Sequence, residues 1–129
     1  MESYLTPEEI EEIEKNNDLT EYLNNARDLF LIGYVTGQRI SDYLRFEKEM
    51  LKTINGVTLI NFIQKKTRKQ MLLPLRTRVL RILEKRNGDF PRRISDQKFN
   101  DYIKVVCEKS EITESTLGVK RIKVLTDPK

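Results

Sequence analysis

The sequence predicts an α+β fold that is mainly helical, with helices around a small three-stranded antiparallel sheet. Apolar residues recur at helical spacing through the first part of the chain. Between Met50 and Leu73 the spacing changes to the alternation that is typical of strands, and helical spacing returns after Pro74. We therefore expect two or three helices, then the sheet, then two further helices.

The first predicted helix has a clear start signal. The segment Thr6–Glu9 (TPEE) has the form of a capping box with proline at the first helical position. Leu5 and Ile10 are spaced for the hydrophobic staple that accompanies such a box. These signals predict a short helix from about Pro7 to Asn16.

A longer second helix is predicted to end at Gly37, because glycine favours the left-handed C-terminal cap. From Leu29 onward its residues are apolar on all sides, as is typical of a buried central helix. A short helix from about Ile40 to Arg45 follows. The positions that keep helical spacing in the second helix are Leu19, Tyr22, Leu23, Ala26, Leu29, Phe30 and Gly33.

Three short runs are predicted to form an antiparallel meander. Asn55-Gly56, between the first two runs, is a strong signal for a two-residue hairpin turn. The second connection, near Lys65 to Arg68, is a basic turn, and Pro74 ends the last strand. The three predicted strands are Met50–Ile54, Val57–Ile63 and Lys69–Leu73.

Two helices are predicted after the sheet. Asn87-Gly88 ends the first, and Ser95 is the N-cap of the second. Beyond about Ser110 the pattern fades, and 111–129 carries no clear element. The apolar stripe of the first helix is Leu75, Val79, Ile82 and Leu83, and that of the second is Phe99, Tyr102, Ile103, Val106 and Cys107.

Composition excludes several classes of protein. The 129 residues fit one domain and include no histidine, so no histidine metal site and no imidazole base can form within them. A single cysteine excludes an internal disulfide and multi-cysteine metal sites. The acidic N-terminus lacks an apolar signal core, and no apolar run is long enough to span a bilayer. We expect a cytoplasmic chain without a metal or membrane contact, with Cys107 as a buried thiol.

Charge is distributed unevenly along the chain. Residues 1–26 carry eight acids and one base, a net charge of −7, whereas 27–129 carry 12 acids and 23 bases, a net charge of +11. The stretch Gln64–Arg81 holds seven basic residues and no acid. This asymmetry indicates a surface that faces a polyanion, although most basic stretches are simply solvated.

Arg39 is the first candidate for chemistry, in the segment Thr36–Asp42 (TGQRISD). An arginine at the junction of two helices is placed by rigid elements, and its guanidinium can grip a phosphate with two parallel hydrogen bonds. Asp42 could hold Arg39 or a neighbouring backbone group. The alternative is a plain surface arginine followed by a helix-start aspartate.

Lys66 is the second candidate, in the segment Gln64–Thr67 (QKKT). A lysine beside a tight turn could reach the same basic cleft as Arg39 and act as a point charge or proton donor. Continued strand alternation would project Gln64 and Lys66 to one side and Lys65 to the other. The alternative is a basic hairpin tip that stays in solvent or contacts DNA without chemistry.

Taken together, these segments resemble the catalytic domain of the tyrosine recombinase (phage integrase) superfamily. The resemblance is greatest to integrases of bacterial mobile elements and spans roughly Tyr4 to Ile112. It is carried by Tyr4–Glu9, Ala26–Leu31, Thr36–Asp42, Gln64–Thr67, Pro74-Leu75 and Ile94–Ile103.

The resemblance implies a role for each matched position. Arg39 would clamp the scissile phosphate, Lys66 would protonate the leaving 5′-oxygen, and Asp42 would support the site. The basic neighbours Lys65, Arg68 and Lys69 are expected to contact DNA. The family cleaves one strand with a tyrosine, which leaves a 3′-phosphotyrosine and a free 5′-hydroxyl. The resemblance further implies double-stranded DNA as partner, self-association on DNA in the full-length enzyme, and no cofactor.

Departures from the family limit what this chain is expected to do. The family's His-x-x-Arg box and a later histidine or tryptophan have no counterpart, since the chain contains neither residue, and none of its five tyrosines fills the role of the nucleophile. We expect 1–129 to be a partial catalytic domain, without the family's N-terminal DNA-binding domain, that cannot cleave or join DNA alone. Two alternatives are a non-catalytic DNA-binding module or remnant, and an interaction protein whose acidic first helix docks a partner.

Overall fold

The computed structural model describes residues 6–110 and confirms the predicted α+β architecture. The staple residue Leu5 and the segment 111–129 lie outside the described residues. A 3₁₀ turn, Lys48–Met50, precedes the first strand. The helices and strands are α1 (Pro7–Glu14), α2 (Glu21–Thr36), α3 (Ile40–Tyr43), β1 (Leu51–Ile54), β2 (Val57–Ile63), β3 (Gln70–Pro74), α4 (Thr77–Lys85) and α5 (Asp96–Lys109).

Three predicted helix caps, Thr6, Ser95 and Gly37, are confirmed by the structure. At the start of α1, the Glu9 backbone N–H donates to Thr6 Oγ1 at 3.1 Å, and the Thr6 N–H donates to Glu9 Oε1 at 2.8 Å. At the start of α5, Ser95 Oγ accepts from the Lys98 N–H at 3.2 Å. Gly37 ends α2 in the left-handed conformation, with φ 70°.

Helix α2 is the centre of the core and packs against α1, α4 and α5. Its residues 29–33 are all buried, as the sequence predicts, but Tyr34 is 40% exposed, so the fully buried stretch ends at Gly33. Arg27 and Asp28 are also buried, although charged side chains in a helix are usually solvated. The Asp28 carboxylate pairs with Arg27, Lys85 and Arg86, which links α2 to the end of α4.

The sheet has the order β1-β2-β3, and both pairings are antiparallel. Asn55 and Gly56 both have positive φ, 52° and 78°, as the tight hairpin turn requires. Ile60 and Phe62 of β2 point into the core. The sheet therefore packs on the helices through one face.

Several predicted boundaries differ from the structure. Helix α1 ends at Glu14, and Met50 belongs to the 3₁₀ turn and not to β1. Pro74 is the last residue of β3, where it pairs with Leu59, and does not follow the strand. Proline is tolerated there because β3 is an edge strand, in which one row of N–H groups is not needed for pairing. Among residues 6–110, no helix is long and apolar enough to cross a membrane.

Candidate functional site

The α2–α3 junction fixes the backbone of Arg39. Gly37 turns the chain out of α2, and Arg39 then serves as the N-cap of α3. The Arg39 carbonyl accepts from the backbone N–H groups of Asp42 and Tyr43 at 2.8 and 3.0 Å. Its side chain is half-buried. The guanidinium therefore starts from a backbone that is held by the first turn of a helix.

Helix α3 is itself fixed by the ring of Tyr43. The ring is buried, makes an edge contact with Phe99 at a centroid distance of 5.9 Å, and lies directly over Gly33. A Cβ atom at Gly33 would stand 2.4 Å from the ring, so only glycine leaves room for it. Burial raises the pKa of Tyr43, with a smaller contribution from the nearby charge of Asp96.

Asp42 joins this helix to the turn that carries Lys66. The Asp42 side chain is fully buried, and its Oδ1 accepts from the backbone N–H of Lys65 at 2.9 Å. The same oxygen accepts from Arg45 Nη2 at 3.0 Å. Asp42 is therefore bonded to a backbone group, which lies in the β2–β3 turn.

Arg45 also links α3 to the β2–β3 hairpin. The sequence does not identify it as a functional residue. Besides its bond to Asp42, its Nη2 donates to the carbonyl oxygen of Ile63 at 2.5 Å, and its Nε donates to the Ser41 carbonyl at 3.2 Å. The i,i+3 spacing of Asp42 and Arg45 on a helix is the signal that could have found the pair. Arg45 thus connects α3 to the last residue of β2.

Gln64 forms a second connection between the same two segments. Its Nε2 donates to Gln38 Oε1 at 2.9 Å, and its Oε1 accepts from Thr67 Oγ1 at 2.6 Å. Gln38 in turn donates from Nε2 to the Thr36 carbonyl at 3.4 Å. Neither glutamine was singled out from the sequence, because a polar residue beside a basic turn resembles an ordinary solvated side chain.

The β2–β3 turn does not continue the strand alternation that the sequence suggested for Gln64 to Lys66. Strand β2 ends at Ile63, and the chain then turns tightly. The Gln64 N–H donates to the Lys69 carbonyl at 2.8 Å, and the Arg68 N–H donates to the Gln64 carbonyl at 2.9 Å. Arg68 has φ 61°, a left-handed conformation that the turn imposes.

Every predicted basic residue of this turn is exposed, namely Lys65, Lys66, Arg68 and Lys69. The base of the turn is held by Asp42 and Gln38, both from the segment that contains Arg39. The structure therefore brings the segment of Arg39 and the turn of Lys66 side by side. A shared cleft between the two side chains stays a prediction.

A second group of cations lies on α4. A groove of about 730 Å³ runs along its start and is lined by Arg76, Arg78 and Arg81 together with Pro74 and neighbouring residues. Arg78 is paired with Glu14 of the acidic helix α1 at 3.1 Å. Part of the acidic charge of α1 is therefore engaged within the chain.

The described tyrosines lie in different environments. Tyr43 is buried, and Tyr22 and Tyr102 form a ring pair with a centroid distance of 4.9 Å on the α2–α5 surface. Tyr102 is half-buried, so it packs at the edge of the core and not inside it. No group of three or more acidic or thiol side chains within residues 6–110 could hold a metal ion.

The comparisons with known proteins define the class as site-specific recombinases and integrases. The model of the phage integrase family matches residues 3–120. The chain therefore belongs to the phage integrase family, the tyrosine recombinases, whose substrate is DNA. No curated protein and no solved structure matches the chain.

Proposed function

We propose that this chain forms part of the catalytic domain of a DNA strand-transfer enzyme from a bacterial mobile element. Arg39 clamps the scissile phosphate, Lys66 protonates the leaving 5′-oxygen, and Asp42 supports both segments. The observation that carries the proposal is the pair of hydrogen bonds by which Asp42 and Gln38 hold the Lys66 turn against the Arg39 segment. Two segments distant in sequence are thereby joined by hydrogen bonds, which supports a shared site.

The proposed chemistry depends on positive donors aimed at developing charge. Attack by a deprotonated tyrosine oxygen forms a new O–P bond and builds negative charge on the equatorial oxygens of the phosphate, which the planar guanidinium of Arg39 contacts through two parallel N–H groups. The P–O5′ bond then breaks, and a proton moves from Lys66 Nζ to the 5′-oxygen. The exposed cations Lys65, Arg68 and Lys69 bind the neighbouring phosphates. No step uses a metal or nucleotide cofactor.

The nucleophile is proposed to come from outside these 129 residues. Among the described tyrosines, Tyr43 is unsuited to attack a phosphate, because it is buried and its pKa is raised. The chain also has no histidine for a His-x-x-Arg box. We infer that the chain alone neither cleaves nor joins DNA, and that the complete enzyme works in the cytoplasm as an assembly of copies on duplex DNA.

Replacement of Arg39 tests the catalytic part of this proposal. In a complete recombinase that contains this sequence, Arg39→Ala is expected to abolish formation of the covalent DNA–protein product, seen as a shifted band on a denaturing gel. Arg39→Lys should restore little, because an ammonium lacks the paired donors. The matched control is Arg92→Ala, which removes an exposed guanidinium that pairs with Glu21. Normal cleavage by Arg39→Ala would remove the assigned role.

Salt dependence tests the DNA-binding part on the 129-residue chain itself. Binding to duplex DNA should weaken steeply as salt rises. The triple replacement of Lys65, Arg68 and Lys69 by alanine should lower the slope of log K against log salt by about 0.9 for each phosphate contact that is lost. The control triple variant replaces the exposed α5 lysines Lys98, Lys104 and Lys109. Equal slopes for the two triple variants would contradict the assigned DNA contacts.

Two other functions have distinct outcomes in these assays. A non-catalytic DNA-binding module or remnant predicts salt-dependent binding with no cleavage even in the complete protein. An interaction protein that docks through α1 predicts no binding to duplex DNA at low salt. The pairing of Glu14 with Arg78, and of Glu12 with Lys15, reduces the acidic charge that α1 offers to a partner.

A further inference from the structure

We propose that Gln38 and Gln64 are positioning residues that act through Lys66, by holding the β2–β3 turn against the segment of Arg39. This inference rests on the proposed function and adds two residues to which neither the sequence nor the family match assigns a role. The observation behind it is a continuous series of hydrogen bonds that runs from the end of α2 to the turn.

The series of hydrogen bonds begins at the backbone carbonyl of Thr36 and ends at the backbone N–H of Lys69. The Thr36 carbonyl accepts from Gln38 Nε2, Gln38 Oε1 accepts from Gln64 Nε2 at 2.9 Å, and Gln64 Oε1 accepts from Thr67 Oγ1 at 2.6 Å. Thr67 Oγ1 then accepts from the backbone N–H of Lys69 at 3.2 Å. Each side-chain amide uses one donor and one acceptor, so the series runs without a break from the residues before Arg39 to those after Lys66.

Lys66 follows directly after the two anchors of the turn, at Gln64 and Lys65, and Thr67 after it is bonded back to Gln64. Gln64 holds one side through Gln38 and Thr67, and the Lys65 N–H is held by the buried carboxylate of Asp42. Lys66 itself is exposed, with a long side chain that many conformations can place in solvent. Holding the backbone before Lys66 against the Arg39 segment, and Thr67 after it against Gln64, narrows the volume that Nζ can reach and so raises the fraction of time that Nζ spends near the leaving oxygen.

Asp42 and the glutamine pair differ in whether their replacement leaves the fold intact. Asp42 is fully buried, and its replacement disturbs the fold. Gln38 and Gln64 are half-buried polar side chains, so their replacement removes hydrogen bonds without opening the core. Gln38→Met and Gln64→Met keep similar side-chain length and lose the amide, whereas Gln38→Glu keeps an oxygen that can accept from Gln64 Nε2.

The decisive measurement compares the cleavage rates of two substrates that differ in the leaving atom, oxygen or sulfur. With an ordinary phosphodiester, the P–O5′ bond breaks and the 5′-oxygen takes a proton from Lys66. With a bridging 5′-sulfur in its place, the P–S bond breaks and a thiolate leaves without a proton, because a thiol is far more acidic than an alcohol. A substitution that affects only Lys66 therefore slows cleavage of the oxygen substrate but leaves cleavage of the sulfur substrate at the unmodified rate. A variant that disturbs folding or the Arg39 clamp stays slow on both.

The experiment measures single-turnover cleavage by the complete recombinase on both duplexes. Gln38→Met and Gln64→Met are expected to lower the cleavage rate on the oxygen duplex by about 2- to 12-fold, the range for one lost hydrogen bond, with little change in KM. Both should match the unmodified enzyme on the sulfur duplex, as should Lys66→Ala. Gln38→Glu keeps the acceptor for Gln64 but loses the donor to the Thr36 carbonyl, so its rate on the oxygen duplex should lie between those of Gln38→Met and the unmodified enzyme, with no loss on the sulfur duplex.

The control variant is Gln70→Met, which loses a hydrogen bond to Asn61 of 2.9 Å in the same hairpin but touches neither anchor. The inference is overturned if Lys66→Ala is slow on oxygen while the Gln38 and Gln64 variants cleave like the control. It is equally overturned if their loss persists on sulfur. If Lys66→Ala itself cleaves the oxygen duplex normally, the proposed function fails at Lys66, and that result is separate from the other two.

Discussion

Replacement of Asp42 by alanine removes the buried carboxylate that links α3 to the β2–β3 turn. Its Oδ1 accepts from the Lys65 backbone N–H at 2.9 Å and from Arg45 Nη2 at 3.0 Å, and the side chain is fully buried. The variant leaves a backbone donor and a guanidinium without their acceptor. We therefore expect both lower stability and a looser turn.

The size of the effect follows from the exposure of the two partners. Removing one member of a buried ion pair costs about 3–5 kcal/mol. The Arg45 side chain is 23% exposed, so water can take over part of its lost contact. The Lys65 N–H faces the buried position and adds a penalty of about 1–3 kcal/mol for an unsatisfied donor. With the ion-pair cost reduced by about half for that exposure, the expected loss in the free energy of unfolding from both contacts is about 3–5 kcal/mol.

Urea denaturation of the 129-residue chain, followed by circular dichroism, measures this loss. A double-mutant cycle with Arg45→Met should give a coupling of about 1–2 kcal/mol, because the two side chains share one contact. The control is Glu12→Gln, which removes an exposed pair with Lys15 and should change stability by less than about 0.5 kcal/mol. A loss below about 1 kcal/mol for Asp42→Ala, or no coupling to Arg45, would refute the reasoning.

Two further predictions concern the surroundings of the site. Gly33→Ala should destabilise the chain by about 1–3 kcal/mol in urea denaturation, because the added Cβ would stand 2.4 Å from the Tyr43 ring. A change within the error of the Glu12→Gln control would contradict that packing. The hydrogen bond from Arg92 lowers the pKa of Glu21 below its ordinary 4.5, so the pair stabilises the fold above pH 4.5 and this contribution is lost as pH falls through the lower, folded-state pKa. Thermal unfolding of Glu21→Gln between pH 7 and pH 3 should show a smaller fall in Tm than the unmodified chain, and an equal fall would refute the assignment.

The elements that the sequence predicted well are those with signals that lie within a few residues of one another. The capping box at Thr6, the Asn55-Gly56 turn and the Ser95 cap each satisfy a local requirement of the backbone. The family resemblance, shown by the match over residues 3–120, also rests on short segments. Local chemistry is sufficient for such features because the same few atoms form the bond in any fold.

The features that escaped prediction depend on residues that are far apart in the chain. The sequence suggests that Asp28 is a solvated charge, yet the middle of α2 meets the end of α4 and buries Asp28 against Arg86. Gln38 and Gln64 likewise carry no pattern of their own, and their bond exists only because the sheet returns to the α2–α3 junction. Such contacts are set by tertiary packing, which hydrophobic periodicity does not specify.

The two candidate catalytic side chains are held in different ways, and the difference suits their proposed tasks. Arg39 starts from the first turn of a helix that Tyr43 fixes to the core, so its backbone has little freedom. Lys66 is at the exposed tip of a turn whose base alone is anchored, through Gln64 and the Lys65 N–H. A clamp stabilises charge best when it needs no reorganisation, whereas a proton donor must approach an oxygen that moves as its bond breaks. An arginine on a fixed backbone and an exposed lysine on an anchored turn would suit these two proposed tasks.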